Sequence, residues 1–284
     1  AGLPYALSNP VMYYNADLLK QAGWDPDQPP KTWEEVQQLS TAVRDKTGNF
    51  GLYVQEPPDN WAQFALAKSN GGDWLKKNSD GSYEVVFNSP EVVAAYQMIG
   101  DMVKDKRAFH ANMEEGIQAF GNGKVALLIT TIGKRENVES QSNFDLRTAK
   151  FPTFGDKPRA VPAGGNALVV FAQDPERQKA AWTFIKYLQS PEALEIWVKA
   201  TGYLPPLKGV ADQGGLKEFL DSNPLMKAAV DQTGSTVPWA NFPGDNGLQA
   251  EQALIDAREQ VLSGKAGAKE ALDEAAKKVE QLLK

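Results

Sequence analysis

The chain has 284 residues, of which 42% are hydrophobic and 23% charged, the composition of a globular protein with room for two ordinary domains. Its net charge of −6 argues against nucleic acid or an anionic membrane surface as the partner. Cysteine is absent and His110 is the single histidine, which excludes disulfides, thiolate metal sites and a cysteine nucleophile and would make any zinc site mainly carboxylate.

The sequence contains no signal peptide and no run long enough to span a bilayer. No apolar run approaches the length of a membrane-spanning helix, and Ala1 leads into Leu3-Pro4-Tyr5 without a signal peptide. We therefore expect a mature, trimmed or fragmentary chain. The lack of cysteine fits a bacterial extracytoplasmic protein, although many cytosolic proteins share it.

Apolar periodicity and turn residues predict strands that alternate with helices. The clearest helix start is the capping box Thr32-Trp33-Glu34-Glu35, in which the Thr32 hydroxyl accepts from the Glu35 amide and the Glu35 carboxylate reaches back. The predicted extended segments are 3–14, 50–54, 83–87, 125–129, 144–151 and 167–171. The predicted helices are 33–46, 61–70, 90–103, 114–120, 174–187, 190–200, 215–222, 248–263 and 267–283. Such an alternation indicates an α/β fold.

Two of the predicted strands, 125–129 and 167–171, are apolar throughout, as strands covered on both faces are. We expect 125–129 to be buried in the sheet of a compact α/β domain. The sequence has no GxGxxG motif or phosphate loop, and Gly121-Asn122-Gly123-Lys124 precedes a strand, so its amides do not converge on a helix N-terminus.

Aromatic residues in polar loops are the main positive signal. Among seven tryptophans and eight tyrosines, Trp61, Tyr203 and Trp239 stand beside Pro, Gly and Asn. An aromatic ring next to polar groups suits a sugar, because a pyranose presents a C–H face for stacking and a rim of hydroxyls for hydrogen bonds. His110 closes a helix-like stretch, where we expect it to act as a cation near a helix C-terminus.

A series of short motifs resembles one known family. The matching stretches are Leu3-Pro4-Tyr5, Pro10-Val11-Met12-Tyr13-Tyr14-Asn15, Asp17-Leu18-Leu19, Ala22-Gly23, Pro29-Pro30-Lys31-Thr32-Trp33-Glu34-Glu35, Phe120-Gly121-Asn122-Gly123-Lys124-Val125-Ala126, Gly164-Gly165-Asn166-Ala167 and Thr201-Gly202-Tyr203-Leu204-Pro205. In order and spacing they resemble the family 1 extracellular solute-binding proteins of ABC importers, which include maltose-binding and glycerol-3-phosphate-binding proteins. No single motif is decisive, but the combination is specific.

The resemblance implies the type II periplasmic-binding-protein-like fold, in which two lobes close on a ligand about a hinge. By analogy, 7–164 and 205–284 form lobe 2, and 1–6 and 166–203 are a remnant of lobe 1. The hinge crossovers lie near 8, 165 and 204. Members of the family normally carry most of lobe 1 before the Leu-Pro-Tyr segment, so we expect lobe 2 to be essentially complete and lobe 1 only partial. A truncation, a rearrangement, a fusion design or a companion chain would each explain this.

The resemblance also suggests ligand-binding positions. Ser8, Gly165 and Tyr203 match a serine, the second glycine of a Gly-Gly pair and a tyrosine that contact the ligand in glycerol-3-phosphate binders. Thr131 and Trp61 match approximately a small polar residue and an aromatic residue that follow buried strands. For each position a structural role, as a turn residue, hinge glycine or packing aromatic, remains open.

Further candidates are less clear. Trp239 lies in a loop similar to one that contributes to sugar sites, and packing is an equal alternative. Glu56 and Asp59 could accept sugar hydroxyls, although we expect solvated loop carboxylates. Glycerol-phosphate binders have an arginine on the helix that corresponds to 248–263, and the register set by Ser263-Gly264-Lys265 places Glu251 there.

A carboxylate at position 251 would repel a phosphate, so the sequence favours a neutral ligand. Lys134 and Arg135 could restore positive charge, but we expect them at the surface. Asp245, Asn246 and Gln249 suit hydroxyl recognition.

The favoured function is therefore non-catalytic binding of a neutral mono- or oligosaccharide for import through ABC permease subunits. The resemblance implies a periplasmic or extracellular location, with a lipid anchor on the full-length protein left open, and no cofactor or metal. A phosphorylated or zwitterionic polyol is the alternative ligand. A glycoside hydrolase, or an engineered scaffold or sensor module, are alternatives of other classes. We also expect a partner chain or segment to supply the missing part of lobe 1, and weak affinity without it. Without that part, 167–171, 174–187 and 190–200 are expected to pack away from lobe 2 and to leave apolar side chains uncovered, namely Leu168, Val170, Trp182, Ile185 and Leu188.

Overall fold

The structure is a computed structural model that describes residues 2–56, 60–207, 209–212 and 214–283. The strands are β1 (Leu3–Ser8), β2 (Pro10–Asn15), β3 (Phe50–Val54), β4 (Leu75–Lys77), β5 (Tyr83–Val85), β6 (Val125–Thr131), β7 (Leu146–Ala149), β8 (Val161–Pro162), β9 (Gly164–Leu168) and β10 (Thr236–Val237). The α-helices are α1 (Ala16–Gln21), α2 (Trp33–Thr47), α3 (Trp61–Ser69), α4 (Pro90–Lys104), α5 (Met113–Gly121), α6 (Arg135–Gln141), α7 (Pro175–Leu188), α8 (Pro191–Thr201), α9 (Gly214–Ser222), α10 (Pro224–Asp231), α11 (Gly247–Leu262) and α12 (Ala268–Leu282). Within these residues, no helix combines the length and the apolar character needed to cross a membrane.

A four-stranded sheet in the order β3-β6-β2-β7 forms the centre of the fold. β3 runs parallel to β6, and β2 runs antiparallel to β6 and to β7. The predicted strand 125–129 is buried in this sheet and continues to Thr131, so the expectation of a buried strand is confirmed. A strand in the middle of a sheet with helices on both sides is largely apolar, as Val125–Ile129 are.

Helices cover both faces of the sheet. Successive side chains of β2 point to opposite faces: Met12 and Tyr14 enter the core beneath α1 and α2, and Val11 and Tyr13 enter the core beneath α5 and α10. The predicted capping box at Thr32 is present and starts α2. This three-layer arrangement confirms the α/β class and leaves the ends of β3 and β6 accessible to loops.

A second helical layer closes the fold near the C-terminus. Alanine-rich faces of α11 and α12 pack on each other and on α3 and α4, together with Trp74 and Phe242. Gly100 of α4 allows this contact, because a Cβ atom there would lie 2.7 Å from a methyl group of Val261. The predicted helices 248–263 and 267–283 are therefore a packed pair, and their residues are fixed relative to the loop before α3.

Several predicted boundaries are wrong. The strand 83–87 ends at Val85, and the strand 144–151 is limited to β7. The strand predicted at 167–171 is observed earlier in the chain, as β9. Its position is set by pairing with β1, in which Ser8 lies opposite Gly164 and Leu3 opposite Leu168. Residues 169–171 have no partner strand among the described residues. Helices α1, α6 and α10 were not predicted, although Asn15 caps α1 and Pro224 opens α10, two recognisable start signals.

The β1–β9 pair, α7 and α8 form a less buried region, which we call the ribbon region. Large apolar side chains are exposed on it: Val169, Val170, Phe171, Trp182, Phe184, Tyr187 and Ile196. Two expectations about it are wrong. Ile185 is buried rather than uncovered, and α8 does not pack away from 205–284, because Leu194 and Val198 pack against Leu216 of α9.

A buried polar network joins distant parts of the chain at the start of β2. The Gln232 amide nitrogen donates to Asn9 Oδ1 and to the Pro10 carbonyl, each at 2.7 Å, and Gln232 Oε1 accepts from the Phe151 amide at 3.0 Å. Asn9 Nδ2 donates to the Ala229 carbonyl at 3.0 Å. Buried polar groups are stable only when they are paired in this way, so the network fixes the chain where β1 passes into β2.

Candidate functional site

The three segments that were predicted as crossovers lie side by side. Ser8 pairs with Gly164 at the end of β1, and Leu7 and Leu204 exchange two backbone hydrogen bonds, of 3.2 Å from the Leu7 amide and 2.7 Å from the Leu204 amide. They meet next to the carboxyl ends of β3 and β6, the edge at which α/β sheets bind ligands. We call this place the crossover site.

Ser8 and Trp61 form the inner part of the crossover site. Ser8 is 3% exposed and Trp61, the first residue of α3, is 5% exposed. A Cβ atom on Gly164 would lie 2.5 Å from Ser8 Oγ and 2.8 Å from Trp61 Cζ2, so both side chains lie directly over that glycine. Trp61 is therefore almost completely covered in this conformation.

Gly165 adopts a backbone conformation that a side chain would prevent. Its φ is +120°, and a Cβ atom there would collide with the carbonyl oxygen of Ala6 and lie 2.7 Å from the carbonyl carbon. Gly165 itself is exposed. The glycine is thus required for the close approach of β1 and β9, and its backbone is accessible at the crossover site.

Thr131 and Tyr203 form the outer part of the crossover site. Thr131 ends β6, pairs with Pro10, and accepts a hydrogen bond of 3.1 Å from the Gly133 amide through its hydroxyl. The Tyr203 ring lies over Gly133, where a Cβ atom would be 3.0 Å from Tyr203 Cζ and 3.4 Å from Thr131 Oγ1. A threonine hydroxyl and a half-buried tyrosine are therefore adjacent.

An aromatic side chain that was not predicted as functional lies behind Tyr203. The Trp197 ring stacks on Tyr203 at an interplanar angle of 14° and a centroid distance of 6.2 Å, and it contacts Tyr5 at 4.7 Å. The sequence offered one signal, an aromatic residue in the last turns of the helix that ends in Gly202-Tyr203. That signal is weak, because most aromatic residues at helical spacing are core residues.

Trp239 lines a groove to which none of the five residues described above contributes. It packs against the core that contains α11 and α12, and it lines a groove of about 420 Å³ with Tyr83, Lys68 and Asp73. Its connection to the crossover site is through the backbone, since the Ala163 amide donates to the Val237 carbonyl at 2.8 Å.

The expected roles of Glu56 and His110 are wrong. Glu56 is buried rather than solvated, and its Oε2 is 2.8 Å from His110 Nδ1. His110 does not cap a helix C-terminus, because α4 ends at Lys104 and the ring lies between Glu56 and Glu259, whose Oε1 is 3.4 Å from Nε2. Asp59, the other loop carboxylate considered, lies outside the described residues.

The three residues Glu56, His110 and Glu259 are also close enough to share a cation, with ligand atoms within 4.8 Å of one another. Each ring nitrogen faces a carboxylate oxygen, which is the arrangement of an imidazolium that donates twice. The hydrogen bond to Glu56 raises the pKa of His110 above 6.5, and burial raises the pKa of Glu56 above 4.5. The buried Arg258 guanidinium nearby disfavours a divalent ion, so a bound proton fits this cluster better.

The cluster makes stability depend on pH. Because both pKa values are raised by folding, both groups stabilise the fold below their unfolded pKa values and lose that contribution as pH rises through the folded values. The free energy of unfolding should therefore fall when pH increases from about 6 to about 9. Urea unfolding at the two pH values measures this change in the free energy of unfolding. The substitution His110→Gln should make the free energy of unfolding less dependent on pH. An unchanged slope in the variant would contradict the prediction.

The cations next to Thr131 are each paired with a glutamate. Lys134 Nζ is 3.2 Å from Glu114, and Arg135 forms an ion pair with Glu139. The expectation that Arg135 lies at the surface is wrong, since it is 7% exposed and packs beneath Gly202. Glu251, on α11, accepts from Asn60 Nδ2 through its backbone carbonyl at 3.4 Å, next to Trp61.

Comparison with known proteins decides the family. A model of the family described as bacterial extracellular solute-binding protein matches residues 1–228. The chain belongs to the bacterial extracellular solute-binding proteins. The family resemblance of the sequence is thereby confirmed.

Among members of this solute-binding family, the sn-glycerol-3-phosphate-binding periplasmic protein UgpB of Escherichia coli strain K12 is 29% identical over 296 aligned positions. The alignment covers 99% of this chain and 66% of that protein, and UgpB of Shigella flexneri serotype 5b gives the same values. The chain thus spans 66% of the length of these relatives.

Solved structures show the same fold. The cyclic alpha-maltosyl-1,6-maltose binding protein from Arthrobacter globiformis is 26% identical, with a TM-score of 0.84 over 99% of this chain and 71% of that chain. UgpB from Mycobacterium tuberculosis in complex with glycerophosphocholine has a TM-score of 0.86 at 24% identity, over 99% and 70% of the two chains. The fold is the periplasmic-binding-protein-like two-lobe fold, as expected.

Proposed function

We propose that this solute-binding protein recognises a neutral mono- or oligosaccharide between two lobes and delivers it to the permease subunits of an ABC importer. The observation that carries the proposal is the convergence of Ser8, Trp61, Thr131, Gly165 and Tyr203 at the three crossovers. They combine aromatic rings, hydroxyls and exposed backbone, which is what recognition of a pyranose requires. The protein works in the periplasm or outside the cell and catalyses no reaction.

A neutral ligand is favoured over a phosphorylated one by the charges around the crossover site. Lys134 and Arg135 are engaged with Glu114 and Glu139, and Glu251 adds a carboxylate on α11. A phosphate needs at least one cation that is available for a charge-assisted hydrogen bond. The name of the Arthrobacter globiformis protein, which is 26% identical, supports an oligosaccharide.

A glycerol-phosphate-type polyol is the second candidate. It is supported by the two relatives named as sn-glycerol-3-phosphate-binding proteins, each 29% identical to this chain. To bind such a ligand, Lys134 would have to break its ion pair with Glu114. Breaking this pair costs little free energy, because Glu114 is largely exposed.

The division into lobes belongs to the same proposal. Residues 7–164 and 205–284 make lobe 2, 1–6 and 166–203 belong to lobe 1, and the chain bends near 8, 165 and 204. The exposed apolar side chains of the ribbon region support it, because contiguous apolar patches of this kind are rare on isolated domains and are normally covered. A further segment or chain that completes lobe 1 would cover them.

A ligand panel tests the proposal. Maltose and maltotriose are expected to bind, and glycerol 3-phosphate and glycerophosphocholine are not, in saturation-transfer NMR, which detects weak complexes, followed by calorimetry. A ligand present at 100 times its dissociation constant should also raise the free energy of unfolding by about 2.7 kcal/mol. Lys134→Ala should leave sugar binding nearly unchanged, because a neutral solute needs no cation.

Binding of the phosphorylated ligands without the sugars would overturn the neutral-ligand proposal. In that case Lys134→Ala should weaken binding strongly, and the second candidate function would replace the first. Conversion of an oligosaccharide to new products during incubation would instead indicate a hydrolase.

A further inference from the structure

Trp197 belongs to a cluster of three aromatic rings at the edge of the crossover site. Its ring contacts Tyr5 of β1, with centroids 4.7 Å apart and planes tilted by 39°. It also stacks nearly parallel on Tyr203, at 6.2 Å and 14°. Tyr203 in turn lies over Gly133, which has no side chain to displace it.

The backbone between Trp197 and Tyr203 is held as firmly as the rings. The Thr201 hydroxyl donates to the Trp197 carbonyl at 2.7 Å and accepts from the Tyr203 amide at 3.3 Å. Gly202, with φ +79°, ends α8 in the left-handed conformation and turns the chain towards the crossover site. The position of Tyr203 relative to α8 is therefore fixed by both its main chain and its side chain.

The Trp197 ring is placed by packing and not by a hydrogen bond. Its Nε1 atom is buried and has no hydrogen-bond partner among the described residues. A buried indole N–H usually has a partner, and leaving it unpaired costs free energy. The contacts with Tyr5 and Tyr203 are therefore what places the ring.

We propose that Trp197 is a positioning residue for solute binding, which fixes the Tyr203 ring over Gly133 before the solute arrives. The proposal rests on the proposed function of the crossover site. It assigns Tyr203 a specific role: because Trp197 covers one ring face, Tyr203 presents its hydroxyl and the remaining ring edge to a solute. A tyrosine held in place in advance loses less side-chain freedom on binding, which is worth roughly two- to tenfold in affinity.

A double-mutant cycle separates positioning from general structural support. Trp197→Leu keeps an apolar side chain but removes the stacking ring, and it should weaken maltose binding roughly two- to tenfold. In a Tyr203→Ala background the same substitution should have almost no effect, because there is no ring left to position. Trp182→Leu is the matched control, since Trp182 is 50% exposed on α7 and should not alter binding.

Two further measurements keep the test decisive if Trp197→Leu folds poorly. Trp197→Phe retains a stacking ring and should restore binding to within about twofold of the unchanged protein. The protein is also labelled with 3-fluorotyrosine, and the fluorine resonance of Tyr203 is assigned as the one that is lost in Tyr203→Phe. In the absence of ligand, this resonance should show greater ring motion in Trp197→Leu than in the unchanged protein.

The outcomes distinguish this proposal from the function on which it rests. If the unchanged protein binds neither maltose nor glycerol 3-phosphate, the proposed function is overturned together with this one. If it binds, and Trp197→Leu has no effect or weakens binding equally with and without the Tyr203 ring, only the positioning role is overturned. An unchanged Tyr203 fluorine resonance in Trp197→Leu would also overturn it.

Discussion

Replacing Trp61 by alanine is expected to abolish measurable binding of the solute. The ring covers Gly164 beside Ser8 and forms the floor of the crossover site, so its removal leaves a cavity where a sugar would be supported. Loss of a large buried aromatic also destabilises a protein by about 3–5 kcal/mol, which alone could prevent folding. Trp61→Phe, which keeps a ring, is therefore measured alongside it by calorimetry and urea unfolding.

The two variants together separate a binding role from a folding role. Trp61→Phe should fold and retain weaker binding, since a smaller ring covers less of Gly164. The prediction is wrong if Trp61→Ala folds and binds maltose as well as the unchanged protein. Trp239→Ala, which changes an aromatic residue in the separate groove, should have a smaller effect on binding and serves as the control.

Replacing Gly165 by alanine should lower the free energy of unfolding by roughly 2–5 kcal/mol and weaken solute binding. Alanine at φ +120° is strained, and its Cβ atom would collide with the Ala6 carbonyl, a backbone group that cannot move without shifting β1. Urea unfolding measures the loss of stability.

Gly81→Ala is the matched control for this substitution. Gly81 also has a left-handed φ, +89°, but a Cβ atom there would meet nothing within 4 Å, so the cost should be only the backbone strain of about 1–2 kcal/mol. A loss of stability in Gly165→Ala no greater than in Gly81→Ala would show that the pairing of β1 with β9 adjusts to a side chain.

Much of the fold could be predicted because its signals are local. The strand β6 follows from an unbroken apolar run and α2 from its capping box, and both are present in the structure. β9 could not be predicted correctly, because the apolar run at 167–171 carries no information on its partner. The pairing of Ser8 with Gly164 moves the strand towards the N-terminus and leaves Phe171 exposed.

The candidate site was accessible to sequence reasoning only in part. Family resemblance suggested Ser8, Trp61, Thr131, Gly165 and Tyr203, and the structure brings these five positions to one place.

The contacts that surround them depend on residues far apart in the chain. Examples are the contact of Trp197 with Tyr5 and the ring of His110 between Glu56 and Glu259, and neither a motif nor a periodicity encodes such contacts.

The network of Asn9 with Gln232 has a consequence for how the polypeptide folds during synthesis. Asn9 Oδ1 and the Pro10 carbonyl obtain their hydrogen bonds from Gln232, which lies 223 and 222 positions later. A nascent chain on the ribosome therefore cannot complete this network until Gln232 has been synthesised. Contacts of such long sequence separation also slow folding. We expect the emerging polypeptide to remain protease-sensitive and available to chaperones until Gln232 has been synthesised and can pair with Asn9.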